Sequence, residues 1–291
     1  MKLKDVIMLL LLAALWGGSF LFMRIGAPVL GSLVLIELRV LLASITLILF
    51  ALASRHQIHV LHRWWQYLLL GATNAAIPFT LISFAELRLD AGLAAILNAT
   101  TPMFTAVVAW LWTKDPFTLK KLSGVLLGIV GVGVLVGWSS GGNGSHRWLS
   151  ASFSLLAALF YGIAGVFSSR NFKGEKPMDM AIGQQLAASL ILLPFSLATL
   201  PREIPSCVVI FSVLGLAVLC TAVAYLLYFA LIHSVGALKT LTVTFLVPVF
   251  GVIWGGLFLN EPITFRLILG LLIILSSVAL VANVRFKRTR N

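Results

Sequence analysis

Glu37 and Arg39 form the one acid–base pair that lies deep inside an apolar stretch of the sequence. Residues two apart do not share a helical face, so each side chain needs a different partner. A guanidinium could bind a solute carboxylate or phosphate, and a carboxyl group could bind an amine or carry a coupling proton. Arg39 could instead bind carbonyls or pair with another helix. A structural or gating role is favoured for Arg39, and both residues are predicted to lie at a cavity.

The other candidates are amides, hydroxyls and aromatic rings inside apolar stretches, where lipid disfavours them unless they are paired or face water. A hydroxyl or amide there can also serve as an interhelical hydrogen bond, and a Trp or Tyr as an interfacial anchor. Glu86, near a predicted helix end, is expected at the rim of a cavity. The predicted cavity residues of this kind are Trp16, Asn74, Phe79, Asn98, Tyr161, Gln184, Tyr225 and Thr244.

Chemistry on bonds is not expected of these residues. The sequence places no nucleophile–base pair and no metal-ligand cluster at membrane depth, so an intramembrane enzyme is a remote alternative and no cofactor is predicted. His56, His59 and His62 are spaced like metal ligands but lie between Arg55 and Arg63, which favours a titratable cytoplasmic loop and no metal site. A phosphate-binding G-x-x-x-x-G-K-[ST] motif is absent, which argues against direct ATP drive.

The composition requires a lipid environment. Of 291 residues, 60% are hydrophobic and 10% are charged, whereas soluble domains carry about a quarter charged residues. The bilayer must therefore be the solvent. The net charge of +12 is typical of cytoplasmic flanks rich in Lys and Arg. No basic run carries interleaved aromatic residues, so no nucleic-acid partner is predicted.

Ten apolar segments have the length of a spanning helix. The longest polar break, 139–147, lies near the middle and is predicted to link a first half, 1–138, to a second half, 148–291, with a basic cytoplasmic tail. The predicted spans are roughly 6–26, 31–53, 64–85, 91–112, 119–138, 148–169, 180–199, 206–232, 238–259 and 265–284.

The charges orient these spans. With a cytoplasmic N-terminus, most Lys and Arg residues fall on the cytoplasmic side, and both termini lie there. Five spans in each half make the second half begin on the opposite side from the first, so the halves are inverted. The predicted fold class is an all-α membrane protein, with ten transmembrane helices as two inverted five-helix repeats around a central cavity.

One stretch is repeated without a gap, at 98–118 and again at 244–264. Each copy carries a proline inside an apolar span and an acidic-Pro corner after it. The prolines are predicted to act as hinges beside the cavity. The acidic corners are predicted to fix or gate the cytoplasmic and the opposite face respectively, with the substrate nearer Asn98 and Thr244. The coinciding pairs are Pro102 with Pro248 and Asp115 with Glu261.

These motifs resemble a known family. A-L-W-G-G-S-F at 14–20, E-L-R-V-L-L-A at 37–43 and the repeated proline and acidic corner are similar to the EamA type of the drug/metabolite transporter superfamily. The resemblance implies a cavity lined mainly by the first, third, fourth, sixth, eighth and ninth helices, closed by the second and seventh. The fifth and tenth would be peripheral. It also favours efflux. Asp115 stands where this family commonly has Glu, so the two corners need not act equivalently.

The sequence therefore predicts a secondary active or facilitative transporter of the inner membrane. It would move small polar metabolites, such as amino acids or related compounds, by alternating access, as a monomer or weak homodimer. If a proton is the coupling ion, Glu37 is the leading carrier. The alternative is a choline, quaternary-amine or drug transporter with an aromatic cage of Trp16, Phe79, Tyr161 and Tyr225.

Overall fold

The described chain folds into α-helices joined by short connections. The computed structural model describes residues 1–137, 144–201 and 204–282. Two π-helical segments, Ala72–Ala76 and Gly215–Val223, join α3 to α4 and α10 to α11, and a short 3-10 turn, Leu61–Arg63, precedes α3. The α-helices are α1 (Leu3–Leu30), α2 (Ser32–Ala53), α3 (Trp64–Gly71), α4 (Ile77–Glu86), α5 (Ala91–Asn98), α6 (Thr101–Thr113), α7 (Leu119–Val136), α8 (Gly144–Asn171), α9 (Pro177–Leu197), α10 (Cys207–Leu214), α11 (Ala224–Val235), α12 (Ala237–Thr240), α13 (Val243–Leu259) and α14 (Phe265–Val281).

The lengths and composition of these helices make the chain a multi-pass membrane protein. Within the described ranges, eight helical segments are long and apolar enough to cross a bilayer, and two apolar helices, α13 and α14, are shorter. The eight are Leu3–Leu30, Ser32–Ala53, Leu61–Glu86, Ala91–Thr113, Leu119–Val136, His146–Asn171, Pro177–Leu197 and Cys207–Val235. The helical membrane fold is confirmed, while ten crossings stay a prediction.

The polar break near the middle of the chain is only partly described. α8 begins at Gly144, so residues 144–147 of the predicted linker are already helical. Residues 138–143, the basic tail at 283–291 and Arg202 lie outside the described ranges.

The two repeated prolines occupy different helical settings. The helix is interrupted at Ala99 and Thr100, and Pro102 is the second residue of the helix that follows. Pro248 lies inside α13. Because proline has no N–H, the carbonyl of Thr244 lacks its usual donor four residues on. Both prolines thus leave non-standard backbone in the middle of an apolar segment, as the hinge prediction requires.

Helix pairs enclose a central space. α1 packs against α13 and α6 against α8, while α2 packs against α9. α7 and α14 pack chiefly against each other, which agrees with peripheral positions for the predicted fifth and tenth helices. The remaining sides of the space are formed by the two segments that contain the π-helical turns.

Candidate functional site

A cavity of about 380 Å³ lies between these helices. Its walls come from α1, α2, α8 and α13 and from the segments around both π-helical turns and the α5–α6 break. The structure brings together most of the predicted cavity residues and both hinge prolines. Those that line it are Trp16, Arg39, Asn74, Phe79, Asn98, Pro102, Tyr161, Tyr225, Thr244 and Pro248.

The π-helical segments aim polar side chains at the cavity. Asn74 belongs to the first segment, and Cys220 and Thr221 belong to the second. In the register that aligns Pro102 with Pro248, the two segments overlap. A π-helical turn adds one residue to a helical turn, and such turns are frequent at functional sites. Helical periodicity alone could not have revealed them, because the extra residue shifts the face of everything that follows.

Arg39 is buried in the cavity wall, with 4% of its surface exposed. Its Nε–H donates to Thr221 Oγ1 at 3.1 Å, and one terminal nitrogen lies 3.5 Å from the sulfur of Met23. The Thr221 hydroxyl donates in turn to the Leu216 carbonyl at 2.8 Å. The guanidinium carbon also lies 3.6 Å from the centre of the Phe79 ring, a cation–π contact. These contacts fix the plane of the guanidinium.

Asn74 is oriented by a residue outside the lining. Asn74 Nδ2 donates to Gln184 Oε1 at 2.7 Å, and Gln184 is itself buried in α9. Predicted as a cavity residue, Gln184 instead supports Asn74 from behind. The sequence indicated that both amides lie at membrane depth, but not that they pair with each other.

Aromatic rings form much of the remaining wall. The ring centres of Trp16 and Tyr228 are 5.4 Å apart, and those of Phe79 and Tyr161 are 6.3 Å apart in an edge-on arrangement. Tyr225 stacks on Phe229 at 5.8 Å. Paired rings of this kind make a stiff, largely apolar wall.

Glu37 does not line the cavity. It is buried between α2 and α9, where Ser189 Oγ donates to its Oε1 at 2.6 Å and Oε2 has no hydrogen-bond partner in the described chain. The cavity role expected for this residue is corrected by its position. The physical reason is the one noted from the sequence: two residues from Arg39 on a helix, it faces a different neighbour.

The Glu261 side chain binds the start of α5. Its carboxylate accepts N–H groups from Ala91 at 2.7 Å and from Gly92 at 3.1 Å. These are orphan donors at the first turn of α5, where the helix dipole favours an anion. Burial raises the pKa of Glu261 above its ordinary value, and the two N–H groups oppose that rise.

The Asp115 corner has the same backbone but a different setting. Lys114 and Asn260, the residues before the acids, are both left-handed, with φ of 59° and 54°. The N–H of Asp115 donates to the Ala109 carbonyl at 3.4 Å, in the position equivalent to the Glu261 bond with the Gly255 carbonyl at 3.1 Å. The side chain of Asp115 is exposed. Neither acid lines the cavity, in agreement with corners at helix ends.

Glu86 is a functional candidate that the sequence placed wrongly. It was expected at a rim, yet it is fully buried, and both carboxyl oxygens lack a partner among the described residues. Its backbone carbonyl accepts the Arg24 guanidinium. A helix-end position suggested exposure, but α1 covers this end of α4.

Part of the cavity lining is exposed at the end of the molecule away from Glu261. Because Glu261, after α13, meets the start of α5, the α5–α6 and α12–α13 segments run antiparallel. Leu241, part of the lining, therefore lies at the Asp115 end and is 49% exposed. The N-terminus lies at this end as well, since Ser234 Oγ donates to Asp5 Oδ1 at 2.7 Å.

A family model matches the chain twice. The model of the EamA-like transporter family matches residues 3–137 and again residues 148–283. The two matches fall on the two halves separated by the polar break.

Several curated bacterial proteins are similar over most of their lengths. The uncharacterized transporter YvbV of Bacillus subtilis is 26% identical, covering 96% of this chain and 92% of that protein. A probable amino-acid metabolite efflux pump of Salmonella typhimurium is 27% identical, covering 99% and 98%. The uncharacterized inner membrane transporter YedA of Escherichia coli K12 is 27% identical, covering 83% and 78%.

A solved crystal structure shares the fold. It aligns with a TM-score of 0.67 at 15% identity and covers 96% of each chain. At this identity the likeness concerns the arrangement of the helices alone.

Proposed function

The chain belongs to the EamA-like transporter family, and on that premise we propose that it moves small polar metabolites, amino acids or related compounds, by alternating access. The observation that carries the proposal is the cavity between the helices: Glu261 binds α5 at one end of the molecule, and Leu241 of the lining is exposed at the other. The Salmonella relative, whose name includes amino-acid metabolite efflux, supports this substrate class and export as the direction.

The proposal includes ten spans in two inverted repeats, and contacts at the cavity support that symmetry. A Cβ atom on Gly17 would lie 2.7 Å from Phe250 Cβ, so α1 and α13 meet here backbone to backbone. A Cβ atom on Gly162 would lie 3.0 Å from the Phe104 carbonyl carbon. Gly17 matches Gly162 in the repeat, and Phe250 matches Phe104. The glycine of the first half thus packs against the second half, and the matching glycine of the second half packs against the first half in the same way.

The peripheral helices support the same symmetry. A Cβ atom on Gly124 of α7 would lie 2.7 Å from a methyl group of Val281 in α14. Reciprocally, a Cβ atom on Gly270 of α14 would collide with the Leu135 side chain of α7. Gly124 aligns with Gly270 and Leu135 with Val281 in the repeat register. Two independent reciprocal contacts are expected of a two-fold related pair and not of a chance likeness between helices.

The proposed setting is a bacterial inner membrane with both termini in the cytoplasm. Lys and Arg residues concentrate on the side that carries the N-terminus, as the positive-inside rule requires. In this orientation the cavity faces the cytoplasm, and Glu261 lies at the outer face. That state is the one in which an exporter would load its solute.

A quaternary-amine substrate is the second candidate, favoured by the aromatic lining. Trp16, Phe79, Tyr161 and Tyr225 all line the cavity, and such rings bind quaternary ammonium groups. Arg39 opposes it, because a fixed cation in the same cavity repels a cationic solute. The positive charge in the cavity thus favours a polar metabolite over a quaternary amine as the substrate.

Proton coupling through Glu37 has less support than the cavity itself. The carboxyl group lies behind the wall, with one oxygen bonded to Ser189 and the other without a partner. The residue is only 4% exposed, so water has little access to it in this state. Facilitated transport along the solute gradient is the simpler mechanism.

The proposal is tested by counterflow in proteoliposomes. We expect unlabelled leucine inside to drive uptake of labelled leucine, and Trp16→Ala to reduce that flux at least tenfold. Trp148→Ala, which removes an indole that is 47% exposed, is the matched control and should transport normally. Equal flux from Trp16→Ala, or no flux of any amino acid by the wild type, would contradict the proposal. Repeating the assay with a pH gradient separates coupled transport from facilitation.

A further inference from the structure

Arg39 is a buried cation that makes no direct salt bridge in the described chain. Among residues 1–137, 144–201 and 204–282, the ion pairs are His56 with Asp179 and Arg63 with Glu175, and neither involves Arg39. A charged side chain at membrane depth is normally paired with an opposite charge or bonded to carbonyls. Arg39 instead contacts one hydroxyl, one thioether and one ring face.

Most of its donors are unused. A guanidinium has five N–H groups and no acceptor. The described chain supplies acceptors for the Nε–H, from Thr221, and weakly for one terminal N–H, from Met23. The terminal nitrogens are not among the polar atoms that are sealed off without a partner, and Arg39 lines the cavity. The free N–H groups therefore face the space that a solute would fill.

The cavity offers no other charge to satisfy them. Among the described residues of its lining, Arg39 is the only charged side chain, and none is Asp or Glu. Two buried acids, Glu37 and Glu86, lie outside the lining, and although the charge of Glu86 acts on Arg39, its carboxyl oxygens form no hydrogen bond with it. Removing an unpaired ion from water is strongly unfavourable. An anion that enters with the solute would offset this term.

We propose that Arg39 binds the carboxylate of the transported solute, so that the substrates of this cavity are carboxylates with a compact apolar body. A carboxylate fits the planar donor fork through two parallel hydrogen bonds. Phe79 and Thr221 hold the fork in place from the ring face and from Nε. The aromatic walls around Trp16 and Tyr161 pack on the apolar body. This inference rests on the proposed function and names the group by which the solute is recognised.

A purely structural role for Arg39 would predict different contacts. An arginine kept for folding alone would use its terminal N–H groups on carbonyls or carboxylates of the protein. The contacts of Arg39 orient the guanidinium and leave the terminal donors free. This arrangement is what a binding site for an anionic group requires.

The test is a binding series built on one apolar body, measured as thermal stabilisation of the purified protein. The probes are leucine, isocaproate without the amine, isoamylamine without the carboxylate, leucinamide with a neutral amide in place of the carboxylate, and isoamyl phosphate. We expect leucine and isocaproate to bind, and leucinamide and isoamylamine to bind at least tenfold more weakly. Isoamyl phosphate reports whether the site takes any anion or prefers the planar carboxylate.

Variants then assign the effect to Arg39. Removing one partner of a buried, hydrogen-bonded charge pair weakens binding by about 30-fold or more, so Arg39→Gln should lose isocaproate. Arg39→Lys keeps the charge without the fork and should bind isocaproate several-fold more weakly than the wild type. Thr221→Val keeps the guanidinium but frees Nε, and we expect a few-fold loss confined to the carboxylates. Arg88→Gln, which removes an exposed arginine, is the matched control.

The outcomes separate this inference from the transport proposal. Binding of isoamylamine with no binding of either carboxylate would overturn the assignment, as would unchanged isocaproate affinity in both Arg39→Gln and Thr221→Val. No binding of any carboxylate probe by the wild type also overturns it. Flux of cationic solutes with no flux of carboxylates would leave a transporter but not this site. If Arg39→Gln does not fold, Thr221→Val and Arg39→Lys decide the question.

Discussion

Removing the Glu261 carboxylate should open the face of the protein that is now closed. In Glu261→Ala, the N–H groups of Ala91 and Gly92 lose the acceptors that lie 2.7 and 3.1 Å away. Both belong to the first turn of α5, which has no other intrahelical acceptor for them. The contact joins α13 to α5, so its loss weakens closure specifically.

The magnitude follows from the two hydrogen bonds. A buried donor left without an acceptor costs about 1–3 kcal/mol. Glu261 is half-buried, so water can reach the vacated donors and the lower figure applies to each. The total of about 2 kcal/mol corresponds to a shift of roughly 30-fold in the closed-to-open ratio. Glu261→Gln keeps one acceptor and should behave much more like the wild type.

The chain's own cysteines provide the assay. There are two, Cys207 and Cys220, of which Cys207 is exposed and Cys220 lines the cavity. In a Cys207→Ser background, a membrane-impermeant maleimide added at the Glu261 face reaches Cys220 only when that face opens. We expect Glu261→Ala to raise this labelling rate by about 30-fold.

Asp115→Ala is the matched control, because Asp115 occupies the equivalent corner with an exposed side chain. It should not raise labelling from the Glu261 face, because its side chain makes no contact that holds that face closed. An unaltered rate in Glu261→Ala, in a protein that remains folded, would refute the idea that this carboxylate holds the face closed. An equal increase in both variants would point to general loosening instead.

Two further predictions use the same protein. Gly17→Ala puts a Cβ atom 2.9 Å from the Gly251 nitrogen and should lower the free energy of unfolding by about 1–3 kcal/mol through overpacking. Gly133→Ala is the control: open space surrounds this position, so the variant should be neutral or stabilising in thermal unfolding. Equal effects of the two substitutions would contradict the close packing of α1 on α13. Because burial raises the pKa of Glu261, the closed face binds a proton more readily than an open face with the ordinary carboxyl pKa. Closure is therefore favoured below the ordinary value and weakens as pH rises through the raised one, so Cys220 labelling from that face, normalised to unfolded protein, should increase with pH in wild type and not in Glu261→Gln.

The lengths of the apolar segments and the repeated stretch predicted most of the helices. Within the described ranges, each predicted span consists mostly of helical residues, and Pro102 and Pro248 line the cavity. Burial in lipid makes this possible, because a span must be long, apolar and internally hydrogen-bonded. The number of crossings is harder, since α13 and α14 are shorter than the other spans.

The site was less predictable than the fold. Arg39 and Glu37 are both charged residues near the start of the same predicted span, yet only Arg39 lines the cavity. Their separation depends on the rotation of α2, which neighbouring helices set. The partners Gln184 and Ser189 both come from α9. A single sequence does not specify which face of α9 meets which face of α2, so these pairings could not be derived from it.

The two acidic corners explain why an internal duplication need not give a symmetric molecule. Lys114 and Asn260 share the left-handed turn, and both corners repeat the same backbone hydrogen bond. One carboxylate nevertheless binds the first turn of α5, while the other is exposed at the end where Leu241 of the cavity lining is exposed. In the proposed mechanism, alternating access exchanges these two states between the halves. Asp115 has one methylene fewer than Glu261, so a matching contact at its own end would require a closer approach of the helices. In the proposed orientation, the cytoplasmic face would then be the harder one to close, which is consistent with the proposed direction of export.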